Sequence, residues 1–240
     1  MMSLRSLVQV VFLASLVLTH SASAAERWTI PLTERNWQDI KVPGIAENRY
    51  QIRDQVLKVQ SDNSVSFRYF KLPASIQRPD FVSWSWKVDS FSEVVPQTVA
   101  GRDDRPLAIH IWFDDGSDKS LFGNLGTLFG YPKVGHLLTY VWGADDAVGS
   151  VLQNPHYEKG KLIILVGDQG KTGEWSKVTR DIVRDYRRAF GTSPDMSDLR
   201  YIAVSADSDD LDGHSVGAVR SLSLKSSNRL AAKASNSGTQ

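Results

Sequence analysis

Phe81-Val82-Ser83-Trp84-Ser85-Trp86-Lys87-Val88 is the stretch on which the fold turns. Val82, Trp84, Trp86 and Val88 fall on one side of an extended chain, and Ser83, Ser85 and Lys87 on the other. Alternation with a period of two is the pattern of a strand with one face buried. Two tryptophans on one face are worth about 2–3 kcal/mol each when fully covered, so this strand should face a core.

The same pattern repeats on both sides. Upstream, Arg27-Trp28-Thr29-Ile30 is a short strand, and Tyr50–Ile52 and Gln55–Val59 flank a hairpin-sized break at Arg53-Asp54. Ser64–Phe70 follows the turn Asp62-Asn63 and places Val65, Phe67 and Tyr69 on one face. Downstream, Leu107–Phe113 ends at Asp114-Asp115-Gly116, Leu137–Trp142 is rich in aromatics, and Arg200–Ala206 and Val216–Leu224 read as further strands. Lys161–Gly167 is continuously apolar, as a strand covered on both faces is. Residues 117–135 differ: Leu121, Phe122, Leu125, Leu128 and Phe129 have helical spacing, interrupted by Gly123, Gly126 and Gly130, which fits a weak helix or an apolar flap. A firmer helix is expected at about 177–190, where Val178, Ile182, Val183, Tyr186 and Phe190 recur at helical spacing before Gly191 and Pro194. Many short strands, one helix and frequent turns predict an all-β, jelly-roll-like β-sandwich of two mostly antiparallel sheets.

The N-terminus has a different purpose. Arg5 precedes the apolar run Leu7–Leu18, and Ala22 and Ala24 frame a small-residue cleavage site. That is the pattern of a secretory signal peptide; the run is shorter than the roughly 20 residues of a spanning helix. The expected organisation is a signal peptide at 1–24, one β-domain at 25–225 and a disordered tail at 226–240, with a periplasmic or secreted product and no membrane span after cleavage. The chain has 28 Lys and Arg against 27 Asp and Glu, so loss of Arg5 balances the charge. A balanced chain is not the strongly basic one expected of a nucleic-acid binder. There is no cysteine, so an exported domain must rest on its core alone.

Several ordered motifs resemble those of a bacterial family, domain of unknown function 3047. They are Trp84-Ser85-Trp86-Lys87-Val88-Asp89, Gly101-Arg102-Asp103-Asp104, and Tyr140-Val141-Trp142-Gly143 followed by Val148-Gly149-Ser150-Val151 and Asn154-Pro155. Asp185-Tyr186-Arg187-Arg188-Ala189-Phe190-Gly191 and Asp207-Ser208-Asp209-Asp210 complete the set, which spans most of residues 50–224. The resemblance implies an exported bacterial protein and implies no activity. One departure is that His110 and Trp112 stand in a strand that is often plain aliphatic in that family.

The candidate chemistry lies in loops. Gly213-His214-Ser215-Val216-Gly217 matches a nucleophile elbow in letters only: Asp-rich sequence precedes it, and no Asp, Glu or His follows Ser215. Asp207, Asp209, Asp210 and Asp212 are hard oxygen ligands suited to calcium, or else a solvated acidic loop answered by Arg102 or Arg105. Trp84 and Trp86 read as core. Trp112, Tyr140 and Trp142, with Asp103, Asp104, Asp146 and Asn154, make a candidate glycan-binding set, because rings stack on pyranose faces while carboxylates and amides take hydroxyls. His110 reads as a structural histidine beside Trp112, or as a ligand or general base near Asp114. The leading expectation is a non-catalytic module for a carbohydrate or envelope glycan, with room for a structural calcium. Two others stay open: a glycan-active hydrolase or lyase using loop Asp and His, and an envelope assembly protein. One geometric expectation follows, that the turn from Asp145-Asp146 to Asn154 shares an end of the sandwich with the 103–104 and 207–212 loops.

Overall fold

The structure is a computed structural model, and it describes residues 25–116 and 131–227. The expected signal peptide, most of the apolar 117–135 stretch and most of the expected tail lie outside the described residues. Thirteen strands are described, in chain order: β1 (Arg27–Thr29), β2 (Trp37–Lys41), β3 (Arg49–Arg53), β4 (Val56–Asp62), β5 (Val65–Lys71), β6 (Phe81–Phe91) and β7 (Arg105–Phe113). Then come β8 (Leu137–Trp142), β9 (Val151–Gln153), β10 (Gly160–Val166), β11 (Ser176–Asp181), the helix α1 (Ile182–Phe190), β12 (Leu199–Asp207) and β13 (His214–Lys225).

They form two sheets. One has the order β11-β6-β13-β4-β3, with β1 also paired to β13; the other runs β2-β5-β12-β7-β8-β10-β9. Every pair is antiparallel except β8 with β10. The result is the expected jelly-roll-like sandwich. Val82, Trp84, Trp86 and Val88 of β6 are all fully buried and face the second sheet. Trp84 meets Trp86 edge-on at 5.3 Å and meets Tyr140 of the opposite sheet at the same distance. The alternation that identifies β6 in the sequence therefore sets the central contact between the layers.

The break at Arg53-Asp54 is a hairpin turn one residue later than its first letter. Asp54 and Gln55 both adopt positive φ, +52° and +59°, the type I′ geometry whose twist matches that of the flanking strands. The helix begins later than its periodicity suggests. Residues 176–181 are β11, paired to β6 with Val178 opposite Trp84, and α1 starts at Ile182. Val178 is apolar because it joins the core from a strand, and its spacing to Ile182 imitates a helical step. Asp181 caps α1 by accepting from the Arg184 amide, and Gly191 ends it at φ +74°. Three short elements, β2, β9 and β11, have no clear periodic signal.

Ser215 is buried in β13 and donates its hydroxyl to the Pro106 carbonyl. A side chain fixed in a strand in this way is not a nucleophile elbow.

Candidate functional site

The seven-stranded sheet has one face in the core and one facing outward. Leu107, Ile109, Ile111 and Phe113 of β7 point into the core, so Ala108, His110 and Trp112 point out. Phe67 and Tyr69 of β5 and Tyr201 of β12 join them, with ring centroids 5.9–6.2 Å from Trp112. Trp112 is nevertheless closed over, packed with Val134 and Leu137. His110 is 2% exposed, and both its ring nitrogens have partners. Its Nδ1 is 2.9 Å from the Thr139 hydroxyl and its Nε2 is 2.8 Å from the Ser205 hydroxyl. Burial, with a smaller contribution from the Arg105 charge, pushes its pKa down to about 3, so the ring is neutral.

Beside His110 the outer face opens into a cleft of about 370 Å³. Phe67, Leu137, Tyr157 and Ile45 give it apolar walls. Arg105, Asn154, His156, Asp207, Asp209 and Asp210 form its polar end. An apolar hollow with a few convergent polar groups is the usual form of a small-ligand site.

The polar end is held by a buried charge network. One guanidinium nitrogen of Arg105 donates to Asp103 at 2.6 Å and to Asp207 at 3.2 Å. The other Asp103 oxygen accepts from His156 Nε2 at 2.8 Å. Burial alone would raise the Asp103 pKa; the hydrogen bond from His156 and the neighbouring positive charges outweigh it and leave the carboxyl below its usual range. The same bond raises the His156 pKa. Asp207 goes the other way. Burial raises it well above the usual carboxylate value, Arg105 offsets this only in part, and a hydrogen bond with Asp209 raises it further. Two carboxyl groups on one arginine are thus shifted in opposite directions, Asp103 down and Asp207 up.

Asn154 acts through the loop. Its Oδ1 accepts from the amides of His156 and Tyr157, an Asx turn that presents both side chains to the cleft. Asp104 accepts from the amides of Asp210 and Leu211, tying the 103–104 loop to the 209–211 loop. Asp146 accepts from the Gln97 amide, and the Gln97 side chain donates to the Asp104 carbonyl. The three loops meet at one end of the sandwich. Asp146 shapes that end without lining the cleft.

Tyr140 and Trp142 lie on the core face of β8, 0% and 2% exposed, and present no open ring. Trp142 packs edge-on against Phe91. Trp112, on the outward face, is also 0% exposed. Of the four loop aspartates, Asp209 and Asp210 lie near Asp104, with one oxygen of each within 4.8 Å of the others, an arrangement able to offer three oxygens to a divalent cation. Asp207 turns instead to Arg105, and Asp212 lies outside the group. Arg105 and backbone amides therefore answer much of the negative charge. Arg105, His156, Phe67 and Tyr157 are among the cleft residues outside the set expected from the sequence. The signal for His156 was its place directly after Asn154-Pro155, a turn that projects the next side chain.

Distant likenesses exist among solved structures. A family 11 carbohydrate-binding module of the cellulosomal cellulase Lic26A-Cel5E of Clostridium thermocellum is 12% identical, with 84% of this chain and 95% of that chain covered and a TM-score of 0.44. The xyloglucanase domain of NopAA, a type three effector from Sinorhizobium fredii, is 14% identical over 85% and 98% of the two chains, with a TM-score of 0.45. A family 12 xyloglucanase from Bacillus licheniformis is 7% identical over 85% and 100%, with a TM-score of 0.42. None of the curated proteins matches the chain. Residues 35–222 match the model of a family described as protein of unknown function, DUF3047, and the chain belongs to that family.

Proposed function

We propose that the protein is an exported, non-catalytic glycan-binding module whose ligand lies in the cleft beside His110. The supporting observation is the composition of that cleft, lined by the apolar or aromatic Phe67, Leu137 and Tyr157 and by the polar Asn154, His156, Asp209 and Asp210. Apolar walls fit the C–H faces of a sugar, and amide, imidazole and carboxylate groups fit its hydroxyls. The volume of about 370 Å³ is that of a site for a short saccharide segment. Export is read from the signal-like N-terminus and is tested by the N-terminal sequence of protein recovered from the periplasm.

The binding test uses isothermal titration with a panel of neutral oligosaccharides. Saturable binding is expected, weakened about tenfold or more in His156→Ala and in Asp209→Asn, each a loss of about 1.4 kcal/mol. No binding to any neutral glycan by folded protein overturns the proposal, as does binding that both variants leave unchanged.

A second reading has its own observation. Burial raises the pKa of Asp207 in a cleft that also holds His156 and two further carboxylates, and a carboxyl with a raised pKa is what a general acid needs. In that reading the cleft cleaves glycosidic bonds. New reducing ends that appear with wild-type protein and vanish in Asp207→Asn would replace binding with catalysis.

A further inference from the structure

The outer face of the six-stranded sheet is basic, although the chain as a whole is nearly neutral. Strand parity produces the asymmetry. Val82, Trp84 and Trp86 of β6 are buried, so Phe81, Ser83, Ser85 and Lys87 point outward. Across β6 on one side lie Lys177 and Thr179 of β11, in register with Ser85 and Ser83. On the other side lie Arg220, Ser223 and Lys225 of β13, in register with Ser85, Ser83 and Phe81. Arg27 of β1 pairs with Lys225 and extends the row.

The pattern continues over the rest of the sheet. Leu57 and Val59 face the core, so Lys58 faces out, with Gln51 opposite it and Arg49 and Arg53 on the same side of β3. Against these cations stand few acids. Asp89 is paired with Lys87 at 2.8 Å, and Asp181 caps α1. Asp62 sits at the far end of β4, opposite His214. Arg27, Lys177 and Lys225 line a groove of about 280 Å³ together with the hydroxyls of Ser83, Thr179, Ser221 and Ser223, and no carboxylate lines it. Arg220 stacks over Trp175, its guanidinium carbon 4.1 Å from the ring centroid.

We infer that this face is a second binding surface, for an acidic polysaccharide. Charge complementarity selects the anion, since the groove is lined by three cations and no acid. The remaining chemistry selects the polymer. A row of serine and threonine hydroxyls suits sugar hydroxyls, and the groove runs along the open face of a sheet. From Phe81 to Lys87 the strand advances by six residue steps, about 20 Å, so the cations are spread along a track rather than gathered round one phosphate. The surface is independent of the cleft beside His110, which lies on the opposite sheet and carries Asp207, Asp209 and Asp210. The molecule is therefore polarised, acidic at one site and basic on the other face.

The experiment is affinity electrophoresis of the full chain in gels containing polygalacturonate, a neutral polysaccharide or double-stranded DNA. Polygalacturonate should retard the protein, and the retardation should fade between about 50 mM and about 500 mM salt. Lys177→Glu with Lys225→Glu should weaken binding about tenfold or more, while Lys177→Arg with Lys225→Arg retains it. Both pairs lie at the surface, and a thermal melt confirms that each variant is folded. His156→Ala should leave this binding unchanged, which separates its failure from failure of the cleft proposal. Absence of retardation by polygalacturonate, insensitivity to the charge reversal, or DNA bound as tightly as polygalacturonate would each overturn the inference.

Discussion

The Tyr140 hydroxyl, on the core face of β8, donates to Asp185 of α1 at 2.9 Å, and Arg180 grips the same carboxylate with bonds of 2.8 and 2.6 Å. The helix is thereby fastened to the sheet opposite β11, the strand from which it emerges. Asp185 is almost wholly buried and its carboxylate is fully engaged. Removing it leaves the fully buried Tyr140 hydroxyl without its acceptor and the part-exposed Arg180 guanidinium without its carboxylate. Asp185→Ala is expected to cost about 3 kcal/mol. Tyr140→Phe removes one donor and leaves the Arg180–Asp185 pair intact, for about 1 kcal/mol. Urea unfolding of the two variants checks the ratio; equal losses would mean that Arg180 contributes nothing.

Trp86 offers a test of packing against polarity. Its ring is fully buried, and its indole N–H has no hydrogen-bond partner among the described residues. The unmet donor costs about 1–3 kcal/mol, similar to what part of the ring's burial contributes. Trp86→Phe keeps much of the apolar contact and removes the stranded donor, so it should change stability by less than about 1.5 kcal/mol. Trp86→Ala opens a cavity between the sheets and should cost about 3–5 kcal/mol. Denaturation midpoints of the two variants separate the contributions.

These two residues also show what could be read from the chain and what could not. Trp86 is legible because strand periodicity and hydrophobicity are local properties, and β6 carries both for several residues. Tyr140 and Trp142 mislead for the same reason: an aromatic strand beside a polar turn suits a stacking platform, yet parity within β8 directs both rings inward. The cleft depends on partners far apart in the chain. Arg105 belongs to Asp103 and Asp207 at once, and His156 reaches Asp103 from a loop some fifty residues away. Neither pairing leaves a mark on local sequence. That the 103–104, 145–156 and 207–212 loops meet was inferable, because strands of similar length bring their turns to a common end. Which side chains face the opening was not, because bulges such as that between Ser205 and Asp207 shift parity just where the site forms.

The His156–Asp103 bond should make stability depend on pH at two separate places. His156 has a raised pKa in the folded state, so its contribution is complete below its unfolded value of 6.5 and fades as pH rises through the folded value. Asp103 has a lowered pKa, so its contribution is present above 3.8 and is lost as pH falls through the folded value. His156 is about half exposed, so the histidine effect is modest. His156→Ala should flatten the alkaline shoulder of a plot of melting temperature against pH. An NMR titration of the His156 ring should place its midpoint above 6.5; a midpoint below it would contradict the pairing.

Asp207 should oppose that trend. Its folded pKa lies well above its unfolded value of 3.8, mainly through burial and then through Asp209 against the pull of Arg105. Over the interval between those two values the folded protein holds a proton that the unfolded chain has released. Stability therefore falls as pH rises through that interval, the reverse of the usual carboxylate. An asparagine has nearly the same shape and no proton to lose. Asp207→Asn should melt higher than wild type at neutral pH and match it below pH 3.8, while Arg105 keeps its bond to Asp103. A group that costs stability at working pH and faces a cleft fits a residue retained for what the cleft does rather than for folding. If Asp207→Asn instead melts lower at neutral pH, the carboxylate is ionised, Arg105 holds it as it holds Asp103, and the cleft has no proton to donate.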